Sequence, residues 1–226
     1  MIRFLCKYFL GGLIYMRIIE NIYKCAVCNK EAKYNDVLSW HNFGYGDMDG
    51  KPKNDSIIGF NIKECPHCHY VSFDITEPIV HKYCNNLKDW QKSKILEEMQ
   101  KIKNDRLRKI VGVARQYEEN QQYFLAYKTF INASWVCDNE EDESYYRQVG
   151  LKILFDNVLK RVPDEILIIC DLLRMDGHFE DALEFLDLCD GIFDDETENE
   201  FKIHKALIQM AKNKDNKRHS LEEIIK

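Results

Sequence analysis

Two Cys-x-x-Cys pairs, Cys25/Cys28 and Cys65/Cys68, stand 36 residues apart and constrain this chain more than any other feature in it. Two cysteines at that spacing can set both sulfurs on one ion from a single tight turn, and a second such turn completes a tetrahedron. Four thiolates fill the sphere that zinc prefers and leave no position for water. They describe a structural site rather than one that activates a nucleophile. Iron held by four thiolates, or a redox-active disulfide in either pair, uses the same residue types, and spacing alone does not separate them from zinc. Turn chemistry favours the metal. Pro66 fixes the backbone inside the second pair, and Asn29, just after Cys28, tolerates the left-handed conformation that closes a tight knuckle. His69 takes the equivalent place after Cys68, and His41, His67 and His69 are near enough in sequence to substitute for a ligand or to support one.

Helical periodicity begins only after Pro78, so the chain of 226 residues divides into a zinc ribbon over 17–80, a helical-hairpin domain over 81–212 and a polar tail over 213–226. The expected fold class is α+β. Within the ribbon, residues 37–40 predict a short strand. Ile58, Phe60 and Ile62 alternate with Gly59, Asn61 and Lys63, which predicts a half-buried strand delivering the second cysteine pair, with Val71 and Phe73 on its return partner. The insertion between the pairs holds Gly44, Gly46, Asp47, Asp49, Gly50 and Pro52. Asp47 and Asp49 can converge on a hard cation, or can simply cap and reverse the chain.

Among the helices, Leu107, Ile110, Val111, Ala114 and Tyr117 form one clean stripe, and Tyr123, Ala126, Tyr127, Phe130 and Ser134 form its facing partner. A further helix ends at Pro163, with Asp164 as the cap of the next, and Asp176-Gly177 turns the chain again. Tyr123-x-x-Ala126 and Phe179-x-x-Ala182 each open the second helix of a pair, a pattern that resembles degenerate tetratricopeptide repeats; their offset of 56 residues does not fit a regular array.

Charge narrows the function classes. The chain carries a net −6, and between Arg17 and Val80 there are 7 Lys/Arg against 9 Asp/Glu, which argues against a nucleic-acid-binding ribbon. Lys101, Lys103, Arg106, Arg108 and Lys109 form a local basic cluster, and residues 138–143 and 194–200 are acidic; solvated faces or a docking patch account for both. Cys6, Cys84, Cys137, Cys170 and Cys189 are scattered, which fits a reducing, cytoplasmic setting better than a disulfide framework. Residues 4–16 are apolar apart from Lys7, too short to span a bilayer, and read either as a short signal-like segment or as sequence upstream of an alternative start at Met16.

The runs Cys25-Ala26-Val27-Cys28, Gly44-Tyr45-Gly46-Asp47-Met48-Asp49-Gly50-Lys51-Pro52 and Glu64-Cys65-Pro66-His67-Cys68-His69-Tyr70, with Ala133-Ser134-Trp135-Val136-Cys137-Asp138, resemble a bacterial family known as domain of unknown function 2225. The family joins a tetracysteine ribbon to tetratricopeptide-like helices. The resemblance implies coverage from about Ile19 to about Asp190 and marks Asp47, Asp49 and Lys51 as a possible functional loop. It implies no activity. Taken together, these features predict a module in which one structural zinc holds the ribbon and the helical groove binds a protein or peptide. The alternatives are a metal-assisted hydrolase using Asp47 and Asp49 with His41, His67 or His81, and a nucleic-acid binder using the Lys101–Lys109 cluster.

Overall fold

The computed structural model describes residues 2–9, 12–39, 46–53, 57–157, 163–188 and 198–225. Strands precede helices, and the fold is α+β. The chain forms two compact units, the first from Met1–Asn42 with Ser56–Leu154 and the second from Phe43–Asp55 with Phe155–Lys226. Neither matches the expected boundaries near residues 80 and 212. Helices follow the ribbon into the first unit because they pack on it, and the ribbon's insertion belongs to the second.

In the first unit, β1 (Ile2–Phe9), β2 (Gly12–Lys24) and β3 (Glu31–Ser39) form an antiparallel sheet in that order. Of the residues read as signal-like, 4–9 lie in β1 and 12–16 at the start of β2, with 10–11 outside the described residues, and the strand expected at 37–40 is the end of β3. Trp40 lies outside the described residues. Strands β4 (Lys63–Glu64) and β5 (Val71–Ser72) make a separate two-stranded hairpin. The strand expected over 58–62 is absent: the chain turns there, with Phe60 N–H donating to the Ile57 carbonyl and Ile62 N–H to the Gly59 carbonyl. Gly59 is the reason. Its φ of +71° reverses the backbone, and a Cβ there would lie 2.7 Å from the Ile110 side chain. Ile58 and Ile62 are buried while Phe60 is exposed, which alternation does not describe.

Helices α1 (Leu87–Gln91), α2 (Lys94–Lys101) and α3 (Asp105–Glu119) are each opened by a polar cap, Asn86, Ser93 and Asn104 respectively, whose side chain accepts a backbone N–H of the first turn. Helix α4 (Tyr123–Ser134) follows a short turn in which Gln121 takes φ +58°. The facing stripes are as the periodicity predicts: Leu107, Ile110, Val111 and Ala114 are buried against Ala126, Tyr127 and Phe130. Helix α5 (Glu140–Asn157) completes the series. Ribbon and helices are joined by specific bonds. Gln116, fully buried in α3, donates to the Val71 carbonyl at 2.8 Å, and Arg108 pairs with Glu64 at 3.0 Å.

Gly112 permits that approach, because a Cβ on it would lie 2.6 Å from Val71 Cγ2 and 2.5 Å from Met99 Sδ. Met99 can yield, but the branched Val71 on a paired strand cannot do so freely. Gly112→Ala is therefore expected to lower stability by about 1–3 kcal/mol despite the better helix propensity of alanine, measured as a shifted denaturation midpoint.

The second unit is built from α6 (Pro163–Met175), α7 (Phe179–Asp187), α8 (Glu198–Lys212) and α9 (Leu221–Ile225). Pro163 starts α6, so Asp164 lies in its first turn rather than ahead of it. Gly177, at φ +80°, makes the expected turn into α7. The core joins Ile166, Leu167, Cys170, Leu186 and Leu207 to Met48 of the distant insertion. Ala126 in the first unit and Ala182 in the second are both fully buried, consistent with close helix contact at each position.

The polar tail expected over 213–226 is tied down within its described residues, 213–225. The guanidinium of Arg174, fully buried, reaches them: it donates to the Asp215 carbonyl and, at 2.8 Å, to the Lys217 carbonyl, while Asp171 Oδ1 accepts from its Nε at 2.9 Å. A buried cation needs such acceptors, and the segment supplies them from its backbone. Burial pushes the carboxyl of Asp171 up to about 6 in spite of Arg174. A pKa raised on folding contributes stability that is full below the unfolded value and lost as pH rises through the folded one. The stability of the second unit, compared with that of Asp171→Asn, is thus expected to fall between about pH 4 and 6 with a slope of at most about 1.4 kcal/mol per pH unit, read from urea midpoints across that range.

Candidate metal centre

Both Cys-x-x-Cys pairs fold into the same turn. Cys25 N–H donates to the Lys30 carbonyl and Asn29 N–H to the Cys25 carbonyl, each at 2.9 Å; in the second knuckle Cys65 N–H donates to Tyr70 at 2.8 Å and His69 N–H to Cys65 at 2.9 Å. Asn29 and His69 stand at φ +59° and +60°, the left-handed conformation that both positions were expected to need. The first knuckle links β2 to β3, and the second links β4 to β5.

The knuckles face each other. Cys25 Sγ lies 3.8 Å from Cys68 Sγ, Cys28 Sγ lies 3.6 Å from Cys65 Sγ, and all four sulfurs fall within 4.8 Å of one another. A regular tetrahedron with metal–sulfur bonds of about 2.3 Å has edges of about 3.8 Å. A disulfide is far shorter, at about 2.05 Å, and Cys25, Cys28, Cys65, Cys68, Cys84, Cys137 and Cys170 are all free thiols. The four cysteines can therefore hold a metal ion.

The surroundings fit a cation. Without one, the thiols contend for protons: contacts with Cys25 and Cys68 hold Cys65 far below its ordinary value, whereas the contact with Cys65 pushes Cys25 up to about 11. The hydroxyl of Tyr34 is buried with no hydrogen-bond partner, and burial together with the charge on Cys65 raises its pKa. A metal-bound thiolate keeps lone pairs for such a donor. Val27 N–H already approaches Cys25 Sγ at 3.4 Å, the usual arrangement of a knuckle amide toward a ligand sulfur.

Helix α1 braces the cluster. Trp90, fully buried, donates its indole N–H to the Cys68 carbonyl at 2.7 Å and packs edge-on against Tyr70 and Tyr83, with centroids 5.3 Å away in each case. Ala26, inside the first knuckle, donates to the Ile75 carbonyl at 3.0 Å and accepts from Asn85 at 2.7 Å. Sequence reasoning missed Tyr34 and Trp90. Their types signal only burial, and the partners they find are a sulfur cluster and a carbonyl that no spacing specifies.

The other candidates lie apart from this centre. His67 Nε2 is 3.4 Å from the Glu31 carbonyl and His69 Nδ1 is 2.9 Å from Glu64, and neither joins the sulfur cluster; His41 lies outside the described residues. Asp47, Asp49 and Lys51 belong to the second unit, whereas His67 and His81 belong to the first. Asp49 is 1% exposed and accepts from Arg218 at 2.9 Å and from Lys51 N–H at 3.1 Å; Asp47 lies 3.5 Å from the same guanidinium. Met48 N–H donates to His219, and Leu221 N–H donates to Gly46. Arg218 thus stands where a cation bound by both carboxylates would stand, and the loop is a clasp on the C-terminal segment. In the basic cluster, Lys101 pairs with Glu97, and Arg108 with Glu64 and Asp105.

Comparison of the chain with protein-family models, with curated proteins and with solved structures returned no match. Among the described residues no helix is long and apolar enough to cross a membrane.

Proposed function

We propose that this chain is a zinc-stabilised interaction module of the reducing cytoplasm, in which Cys25, Cys28, Cys65 and Cys68 bind one structural zinc and the helices present a surface to a protein or peptide. The closed set of four sulfurs, all within 4.8 Å of one another, carries this reading, since four thiolates on one ion leave no open position for chemistry. Zinc is favoured over iron by the structural role: a redox-inert ion suits a cluster whose backbone and aromatic supports tie sheet to helix. Free thiols at those four cysteines and at Cys84, Cys137 and Cys170 support the reducing setting. Kinship with the tetracysteine ribbon family is proposed on the motifs quoted above.

The interaction reading is supported by large apolar side chains in solvent on the first unit's helices, Phe124 and Leu125 of α4 and Tyr145 of α5. The test is capture of a stoichiometric partner from the native host by the zinc-loaded protein. Phe124→Glu with Leu125→Glu is expected to abolish capture and leave the zinc content unchanged. Capture that survives this change, or an absence of any stoichiometric partner, overturns the role assigned to that surface.

A further inference from the structure

The first unit contains a cleft of about 550 Å3 between the 3-10 turn at His81–Tyr83, the α1–α2 junction and the end of α3. That size falls within the range of ligand-binding clefts, roughly 300–1,000 Å3. Its floor is apolar, made by the buried ring of Tyr83 and the buried side chain of Ile95. Its charged groups are not equivalent. Lys82 and the Tyr83 hydroxyl both bond to Glu119, which neutralises that side of the cleft. Asp89 is held by Asn86 at the start of α1. Lys92 and Lys94, on either side of Ser93, are exposed and form no ion pair among the described residues, Glu97 acting on Lys94 only at a distance.

Two exposed ammonium groups outside any ion pair, above an apolar floor, are the complement of a segment that carries carboxylates next to a large apolar side chain. We propose that this cleft binds an acidic peptide segment, with carboxylates between Lys92 and Lys94 and an aliphatic side chain against Tyr83 and Ile95. A phosphate backbone has the same sign of charge but carries no aliphatic side chain to meet the apolar floor of Tyr83 and Ile95. The site is independent of the apolar surface on α4, and either can fail without the other.

The test titrates the isotope-labelled full chain, loaded with zinc, with the blocked peptide Ac-Glu-Glu-Leu-Glu-Glu-NH2 and follows backbone amides by NMR. Saturable shifts are expected at Lys92, Ser93 and Lys94. Replacement of the peptide's glutamates by glutamines, or of its leucine by alanine, is expected to weaken binding. Lys92→Glu with Lys94→Glu, both at exposed positions, should retain the wild-type spectrum elsewhere and weaken binding at least about tenfold, or about 1.4 kcal/mol. No saturation at millimolar peptide, equal binding by the double variant, or tighter binding of a single-stranded deoxythymidine decamer at the same residues would each overturn the proposal.

Discussion

Cys65→Ser is expected to unfold the first unit. Structural zinc contributes roughly 10–16 kcal/mol of apparent binding free energy, and a domain has only about 5–15 kcal/mol of net stability, so losing one of four ligands removes more than the fold can spare. The loss should spread well beyond the knuckle. Trp90 donates to the Cys68 carbonyl, and Gln116 of α3 donates to Val71 three residues further along, so disorder at the second knuckle strips partners from two buried polar side chains. Hydrogen exchange should show amide protection in α3 and α4 collapsing, while α6 to α8 of the other unit keep theirs. Chelation of the wild-type protein is expected to give the same pattern. Protection in α3 unchanged by either treatment would mean that the helices fold without the ion.

Arg218→Ala is expected to do the converse. It leaves Asp49 buried at 1% exposure with its guanidinium partner gone, and removing one partner of a buried ion pair costs about 3–5 kcal/mol. The C-terminal segment and residues 46–53 should then detach, exposing Met48 and the core it completes. Protection should fall in α6, α7 and α8 while the metal content of the protein stays unchanged. Asp49→Ala combined with Arg218→Ala should cost less than the sum of the two single changes, since the double variant leaves no buried charge at position 49. Full additivity would show that the pair does not act as a clasp. A turnover lost in Asp49→Asn with folding preserved would instead revive the hydrolase alternative.

The two sites differ in how much the sequence discloses. The metal centre is legible because its information is local: each knuckle is encoded in a few consecutive residues, and even the left-handed positions at Asn29 and His69 follow from the turn. The stripes of α3 and α4 are legible for the same reason, since helical period is a short-range signal. The clasp is not. Asp49 and Arg218 are 169 residues apart, and nothing near either one names the other. Arg218 sits in a stretch whose polarity reads as a solvated tail, because composition cannot distinguish a polar segment in water from one whose carbonyls receive a buried Arg174. The alternation at residues 58–62 misleads for a related reason. Gly59 reverses the chain within the run, and the side chains that face inward are chosen by the turn rather than by the pleat of a strand.

Native mass spectrometry of the purified, non-denatured protein tests the central claim most directly. The account predicts a single species carrying one zinc ion per chain, with all four cysteines alkylated only after the ion is removed. A folded chain at the mass of the bare polypeptide, or one lighter by the hydrogens lost to two disulfides, would contradict it.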